Sequence, residues 1–195
     1  AHVLSPMQAH CKAIKEREPD AFTVFIGPCI AKKKEADESS MVDACLTFDE
    51  LNDWMDAQSV RPVSKPRKHE DGKRSRFYPT TGGIIKSMDL SKTFDYIALD
   101  GTDSCMAALD EIRAGSFDNA FIEMSACKGS CISGPILREH AERPLTGVVK
   151  VTSYAGPADF DAKAPASMSE QFMPSGLRRV MPGSAAIQEV LIAMG

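Results

Sequence analysis

Three cysteines stand where an α/β chain would bring thiols together. Cys29 follows the apolar run 22–26, and Cys127 and Cys131 follow a second apolar run, 121–124. If both runs are parallel strands, their carboxyl ends face a common crevice. Thiolate is a soft ligand suited to iron–sulfur clusters or zinc, whereas free cysteine is also among the most buried residue types. The spacing therefore leaves two interpretations open, a shared metal site one ligand short of a four-iron cubane, and separate buried thiols.

The elements around these cysteines alternate between helices and strands. Thr47 and Glu50 have capping-box spacing, which predicts a helix directly after a strand. Ser184 is expected to cap a last apolar helix, and the stretch 155–173 has no clear periodicity. Predicted helices are 6–18, one from 48 on, and 104–113; predicted strands are 22–26, 41–46, 96–99, 121–124 and 148–151.

This order predicts an α/β fold with two lobes of mostly parallel β-sheet flanked by helices, and a cofactor crevice between the lobes. The lobes are expected at about 1–60 and 77–152, joined by a basic surface loop, 61–76. Residues 153–195 are expected to form an irregular stretch and a C-terminal helix that leads to a missing downstream region. The chain opens without methionine and stops on a helical pattern, so we expect it to be a piece of a longer protein.

Composition restricts the class of protein. The 195 residues are 43% apolar and 26% charged, with a formal net charge of −4, which gives no positive field for nucleic acid. No run is long enough for a membrane span, and the first residues lack the order of a signal peptide. Six cysteines in a chain of this length are typical of reduced thiols, so we expect a soluble, cytoplasmic protein.

Two longer motifs contain the three cysteines. Residues 27–35, GPCIAKKKE, resemble the PCxxKxxE motif of the iron-only (FeFe) hydrogenases, and residues 123–135, EMSACKGSCISGP, resemble the third signature of that family. The segments 5–8 and 81–83 are similar to lesser landmarks of the family in the same order. The resemblance covers roughly residues 4–152 and identifies the chain as a member of the family's H-cluster domain.

The resemblance implies a specific site. In the family, four cysteines bind a four-iron four-sulfur cubane, and one of them bridges to a two-iron subcluster. Cys29 and Cys127 would ligate the cubane, Cys131 would ligate it and bridge, and the Lys32 ammonium would donate to a cyanide of the two-iron unit as a catalytic residue. Glu35 would be a structural partner of a basic residue. Further cofactor-binding positions implied by the motifs are Pro28, Gly82, Gly83, Ser125, Gly129 and Gly134.

Three departures from the family pattern affect function. The TSCCP signature, which holds the fourth cubane ligand and a proton-relaying cysteine, has no match, so this chain alone is expected to be inactive and to hold an incomplete cofactor. Gly27 and Ser125 stand where catalytic members have methionine, and the glycine turn after Cys131 is short. These features resemble the sensory branch of the family.

Three functions follow as alternatives. The first is hydrogenase chemistry, the second is a sensor with the same cofactor, and the third is a zinc or structural cysteine domain. Implied partners are an upstream iron–sulfur region of the same protein and either a ferredoxin-like electron carrier or an attached signalling domain. The remaining residues of note have structural interpretations: packing for Cys11, Cys45 and Cys105, anchoring of its helix for Trp54, and solvated charges for Lys33 and Lys34.

Overall fold

The computed structural model describes residues 3–63, 72–140, 144–160, 164–171 and 183–194. Helices and short parallel strands alternate along the chain, as expected for an α/β fold. The helices are α1 (Pro6–Arg17), α2 (Ala31–Asp37), α3 (Phe48–Ala57), α4 (Gly83–Lys86), α5 (Thr102–Arg113), α6 (Pro144–Tyr154) and α7 (Ser184–Met194). The strands are β1 (Val24–Ile26), β2 (Ala44–Leu46), β3 (Asp95–Asp100) and β4 (Ala120–Ser125), and 3₁₀ turns cover Arg74–Phe77, Ser130–Ser133 and Pro135–His140.

The described strands form two separate parallel pairs. β1 pairs with β2 over three residues, and α2 is the crossover between them. β3 pairs with β4 over six residues, with α5 as the crossover. The prediction of two small parallel sheets flanked by helices is confirmed, and parallel pairing requires a connection of this crossover type.

The start of α1 explains how the first sheet obtains a core. The Ser5 hydroxyl accepts a hydrogen bond from the Gln8 backbone N–H, and the Gln8 side-chain oxygen accepts one from the Ser5 backbone N–H, which satisfies two exposed donors at the start of the helix. The helix then buries Met7 and Cys11 against Val42. The predicted packing role of Cys11 agrees with its position in this cluster.

Two expectations about local structure are wrong. Residues 148–151 lie inside α6, because the short β-branched run is part of a longer helical segment that begins at a proline suited to a first turn. Trp54 does not anchor α3, since 59% of its surface is exposed. The helix is held instead by its predicted capping box, in which Thr47 and Glu50 bond reciprocally.

The described part of the basic connection 61–76 is not a free loop. The Arg74 guanidinium pairs with Asp89 and Asp159, and only 24% of the arginine side chain is exposed. Arg76 lies over the ring of Tyr154 at 4.3 Å from the ring centroid. Residues 64–71 of the connection lie outside the described residues.

Candidate functional site

Cys29 lies in the loop that joins β1 to α2. The strand ends at Ile26, and Gly27 and Pro28 lead directly into the cysteine. The Cys29 carbonyl accepts a hydrogen bond from the backbone of Lys32 at 3.1 Å, which begins the turn into the helix. The sequence around Cys29 therefore positions its thiol at the carboxyl end of the first sheet.

Cys127 and Cys131 lie in a tight turn after β4. The backbone of Ser130 donates to the Cys127 carbonyl at 2.9 Å, and the 3₁₀ turn then carries Cys131. Gly129 has φ +80°, where a side chain is disfavoured, and Ser130 adopts φ +60° although it is not glycine. This left-handed pair turns the chain sharply enough to return the second cysteine toward the first.

The two cysteine loops meet at Gly134. A Cβ atom added to Gly134 would lie 3.8 Å from the Pro28 carbonyl oxygen and 3.9 Å from the Cys127 Sγ. Burial raises the pKa of the Cys131 thiol, and the thiols of Cys29 and Cys127 raise it further because they lie close enough to interact. The structure thus places the three motif cysteines around one region at the carboxyl ends of the strands.

The glycine segment 81–83 supports this region from the second sheet. A Cβ on Gly83 would lie 1.9 Å from the Phe77 carbonyl oxygen, so only glycine allows this approach. Gly82 has φ +74° and packs toward Ala98. Two residues before this segment, the Pro79 carbonyl accepts a hydrogen bond at 3.3 Å from the backbone of Ile132, which is next to Cys131. This bond connects the chain leading into the segment to the cysteine turn.

A buried carboxylate fixes the same segment to β4. Glu123 is 4% exposed, and its Oε2 accepts a hydrogen bond from the Ile85 backbone at 3.0 Å. The hydroxyl of Ser125 at the end of β4 lies 3.1 Å from that of Ser130. Ser125 therefore contacts the cysteine turn itself, and Glu123 holds the scaffold behind it.

Lys32 is part of a three-residue polar network. Its ammonium donates to Glu35, and the hydroxyl of Ser5 donates to the other oxygen of the same carboxylate. The side chains of Lys32 and Glu35 are 25% and 22% exposed. Glu35 thus has the structural role expected of it, and the network joins the start of α1 to the Cys29 loop.

The neighbouring lysines also have carboxylate partners. Lys33 pairs with Glu50 on α3 at 2.6 Å, and Lys34 pairs with Glu38 at 3.6 Å. The Lys33 contact links α2 to the capping box of α3, although the Lys33 side chain remains 36% exposed to solvent, as expected for a solvated charge. Lys34 remains well exposed, at 59% of its side chain.

Tyr78 is a member of this region that sequence reasoning missed. Burial raises the pKa of its phenol, and the nearby Cys131, Glu123, Glu35 and Cys29 raise it further. The carbonyl of the next residue, Pro79, accepts a hydrogen bond from the Ile132 backbone at 3.3 Å, so Tyr78 lies beside the turn that carries Cys131. The available signal in the sequence was an aromatic residue three positions before the glycine segment 81–83.

The other cysteines surround the site without joining its loops. The Cys105 thiol donates to the Ser125 carbonyl at 3.5 Å, and Cys45 packs against the core of the first sheet. Burial raises the pKa of Cys45, and Cys29 is close enough to contribute. Among the described residues, no three His, Cys, Asp or Glu side chains lie close enough together to hold a single metal ion.

The fold and the cysteine region belong to one family. The model of the iron-only hydrogenase large subunit, C-terminal domain, matches residues 1–91 and 85–135. The matched segments span more than half of the chain and include both cysteine loops. The chain belongs to this family, whose full-length members bind the H-cluster.

Solved structures with the same fold are FeFe-hydrogenases. One, from a study of stepwise H-cluster assembly, is 14% identical with a TM-score of 0.51 and covers 78% of this chain and 59% of its own. Another, from a study of oxygen inactivation through the two-iron subcluster, is 14% identical with a TM-score of 0.53, covering 86% of this chain and 60% of its own. This chain therefore spans about three fifths of the length of each hydrogenase chain.

No curated protein matches the sequence significantly. Within the described residues, none of the helices has both the length and the apolar character that crossing a bilayer requires.

Proposed function

We propose that this domain binds part of an H-cluster through Cys29, Cys127 and Cys131, within a protein that oxidises or senses hydrogen. The observation that carries the proposal is the meeting of the two cysteine loops at Gly134, in a chain of the FeFe-hydrogenase family. The lack of a single-ion site among the described side chains is compatible with it. In an iron–sulfur cluster each thiolate ligates a different iron, so the sulfurs need not converge on one point.

The donor chemistry of the site fits such a group. Three thiols from two loops are soft ligands of the kind that iron–sulfur clusters require, and Gly134 leaves the space between the loops without a side chain. Burial favours the protonated form of Cys131, so ligation would have to displace a proton from this thiol. When bound, the group supplies the redox chemistry that interconverts hydrogen with protons and electrons.

Lys32 would hold the two-iron unit of the group through hydrogen bonds from its ammonium. Its ammonium has three donors, and Glu35 occupies one of them. No other described residue accepts from its two remaining donors, which would be available for an anionic ligand through charge-assisted hydrogen bonds, a stronger kind than neutral ones. The Glu35 carboxylate would hold the Lys32 side chain in place and balance the positive charge of its ammonium.

Two departures from the family pattern favour a sensory role over rapid turnover of hydrogen. A Cβ atom at Gly27 would lie 2.8 Å from the Phe25 ring. The ring therefore fills the space that a methionine side chain, expected at this position in catalytic members of the family, would need. At the second departure, the Ser125 hydroxyl lies within hydrogen-bonding distance of Ser130 instead of presenting a thioether. Both changes alter the packing beside the cysteine loops, and such neighbours tune a metal site.

The proposal extends to the setting of the whole protein. An upstream iron–sulfur region and, in one alternative, a ferredoxin-like carrier would exchange electrons with the site. In the other alternative, an attached signalling domain would receive a report of the hydrogen or redox state. All six cysteines are free, which supports a reducing, cytoplasmic location.

Anaerobic reconstitution with ferrous iron and sulfide tests the binding proposal. We expect the chain to take up iron and acid-labile sulfide, Cys131→Ser to lose most of both, and Cys105→Ser to retain them. Equal loading of the two variants, or tight retention of zinc in place of iron, would contradict the proposal. We expect no infrared bands of iron-bound carbonyl or cyanide from the 195-residue chain, because one cubane ligand of the family pattern has no match in it.

Hydrogen turnover separates the two roles. With the cofactor assembled in the longest natural form of the protein, we expect hydrogen oxidation to be far slower than in catalytic family members assayed alongside. A rate equal to theirs would exclude the sensory candidate and leave the binding proposal intact.

A further inference from the structure

Ser130, which lies between Cys127 and Cys131 in the turn after β4, is held in an unusual backbone conformation. Its φ is +60°, in the left-handed region that few residues other than glycine adopt. Only 2% of its surface is exposed, so its hydroxyl is shielded from bulk water. Glycine would take up this conformation without a steric penalty. A buried serine here indicates a use for the hydroxyl, because strained backbone of this kind concentrates at functional sites.

The Ser130 hydroxyl has two polar neighbours. The first is the Ser125 hydroxyl, which lies 3.1 Å away, at hydrogen-bonding distance. The second is the side chain of Cys131. Burial raises the pKa of the Cys131 thiol, and a hydrogen bond from the Ser130 side chain acts in the opposite direction. The hydroxyl of Ser130 therefore connects the end of β4 to one of the three motif thiols.

Ser125 is fixed in place by the second sheet. It is paired with Asp100 at the last step of the ladder between β3 and β4. Its carbonyl accepts hydrogen bonds from the Gly101 backbone at 2.9 Å and from the Cys105 thiol at 3.5 Å. The sheet thus gives Ser125 a regular backbone support, from which its hydroxyl can orient that of Ser130.

The available protons determine the direction of these hydrogen bonds once Cys131 ligates iron. A metal-bound thiolate has no proton and can only accept, whereas each serine hydroxyl has a single proton to donate. If Ser130 gives its proton to the Cys131 sulfur, it can only accept from Ser125. The two hydrogen bonds then point the same way, and each polarises the other.

We propose that Ser130 is a positioning residue for the cluster, which donates a hydrogen bond to the Cys131 sulfur and is itself oriented by Ser125. The inference rests on the proposed binding of an iron–sulfur group through Cys131. A hydrogen bond to a cluster sulfur stabilises the reduced, more negatively charged state and so raises the reduction potential. Two hydroxyls of the chain, at the end of β4 and in the turn after it, therefore set part of the potential of the bound cluster.

The reduction potential of the reconstituted cluster tests this role. Ser130→Ala removes the hydroxyl alone, and Ser133→Ala is the matched control in the same 3₁₀ turn, where the Ser133 hydroxyl makes no hydrogen bond within the described residues. In redox titrations of the 195-residue chain followed by electron paramagnetic resonance, Ser130→Ala should lower the ratio of reduced to oxidised cluster at a fixed potential about tenfold, a shift of about 59 mV for one electron. Ser125→Ala should lower this ratio about twofold, and Ser133→Ala should leave it unchanged.

Two further measurements separate the hydrogen bond from an effect on the backbone. Ser130→Gly relieves the left-handed conformation and also removes the hydroxyl, so its potential should fall as it does in Ser130→Ala. In heavy water, electron–nuclear double resonance should detect an exchangeable deuteron coupled to the cluster of the original chain, and this coupling should disappear in both variants.

The outcomes distinguish this inference from the binding proposal on which it rests. If the original chain loads a cluster and Ser130→Ala has the same potential, the role of Ser130 is overturned and cluster binding stands. The role is also overturned if Ser130→Gly restores the original potential, if Ser133→Ala lowers it equally, or if both Ser130 variants fail to load a cluster that the original chain holds. Failure of the original chain to take up iron and sulfide would overturn cluster binding, and this inference with it.

Discussion

The two parallel strand pairs achieve the same geometry by different means. β3 and β4 pair along six residues, and Gly82 packs toward Ala98 of β3. β1 and β2 pair along only three residues, and β1 has no second partner strand within the described residues. The longer ladder is held by backbone and by tight contacts, whereas the shorter one depends on polar side chains around it.

The cysteines follow the same division. The turn with Cys127 and Cys131 rests on the well-packed second sheet, and the Cys29 loop rests on the first sheet, which remains partly uncovered. A site built across the two sheets would therefore rest on a six-residue ladder on one side and on a three-residue ladder on the other. For a protein proposed to sense, that difference in support is where a change in the surroundings would act.

The largest effect is expected from breaking the close packing of the turn that leads into α4, beside the second sheet. In Gly83→Ala the new methyl group would collide with the Phe77 carbonyl, 1.9 Å away, and backbone atoms cannot move aside cheaply. We expect the free energy of unfolding, measured by urea titration, to fall by about 3 kcal/mol or more.

A glycine on α6 provides the control for this substitution. In Gly147→Ala the nearest atom is the Ile132 Cδ1 at 3.9 Å, an ordinary contact. Alanine inside a helix should raise the free energy of unfolding by about 0.5–1 kcal/mol. A similar response of the two variants would contradict the close packing of Gly83 against the Phe77 carbonyl.

Glu123 tests the polar contact that completes this packing. Glu123→Leu leaves the buried N–H of Ile85 without its acceptor, which should lower the free energy of unfolding by about 1–3 kcal/mol. Glu123→Gln keeps an acceptor oxygen and should cost clearly less. Equal losses in the same urea titration would mean that shape at this position matters and the hydrogen bond does not.

The strands that carry the cysteine loops could be predicted from the sequence. The apolar runs before Cys29 and Cys127 predicted strands that end in cysteine loops, because short apolar runs stopped by glycine or a turn are typical of parallel strands. The capping box at Thr47 was equally readable, since it depends only on local spacing. The β-branched run 148–151 misled, because its helical character comes from the flanking residues of α6.

Contacts between distant segments could not be predicted in this way. Ser5 and Glu35 are thirty residues apart and meet only because α1 packs beside the Cys29 loop. Tyr78 lies beside the cysteine turn because the next residue, Pro79, accepts a hydrogen bond from Ile132. No periodicity in the sequence around Tyr78 predicts this contact. Single-sequence patterns report local conformation, whereas these contacts depend on how the elements pack.

On the first sheet, Lys32 and Lys34 form a matched pair for testing the polar network. Lys32→Met removes the cation from a carboxylate that is 22% exposed, whereas Lys34→Met breaks a surface pair whose partners are 59% and 67% exposed. We expect Lys32→Met to lower the free energy of unfolding by about 1 kcal/mol and Lys34→Met to change it by less than about 0.5 kcal/mol.

The same two variants also test cofactor binding in the longest natural form of the protein. Lys32→Met should reduce occupancy of the two-iron unit and shift its cyanide stretching bands, while Lys34→Met leaves both unchanged. Identical occupancy and infrared spectra would show that Lys32 is a structural charge without a role toward the cofactor.

The smallest effect concerns Asp43, which links α1 to the start of the first sheet. A hydrogen bond from Lys15 and two from Thr23 lower the pKa of the Asp43 carboxyl to about 2 from a usual 3.8. Because the folded state favours the ionised form, its stabilisation is fully present above about pH 4 and is lost as the pH falls toward 2. In Asp43→Asn, the decline of the unfolding free energy over this pH range should be shallower, whereas the matched control Glu111→Gln, whose side chain makes no described hydrogen bond, should leave the slope unchanged. A slope as steep in Asp43→Asn as in the original chain would show that the first sheet does not depend on this carboxylate, and the contrast between the two sheets would then rest on ladder length alone.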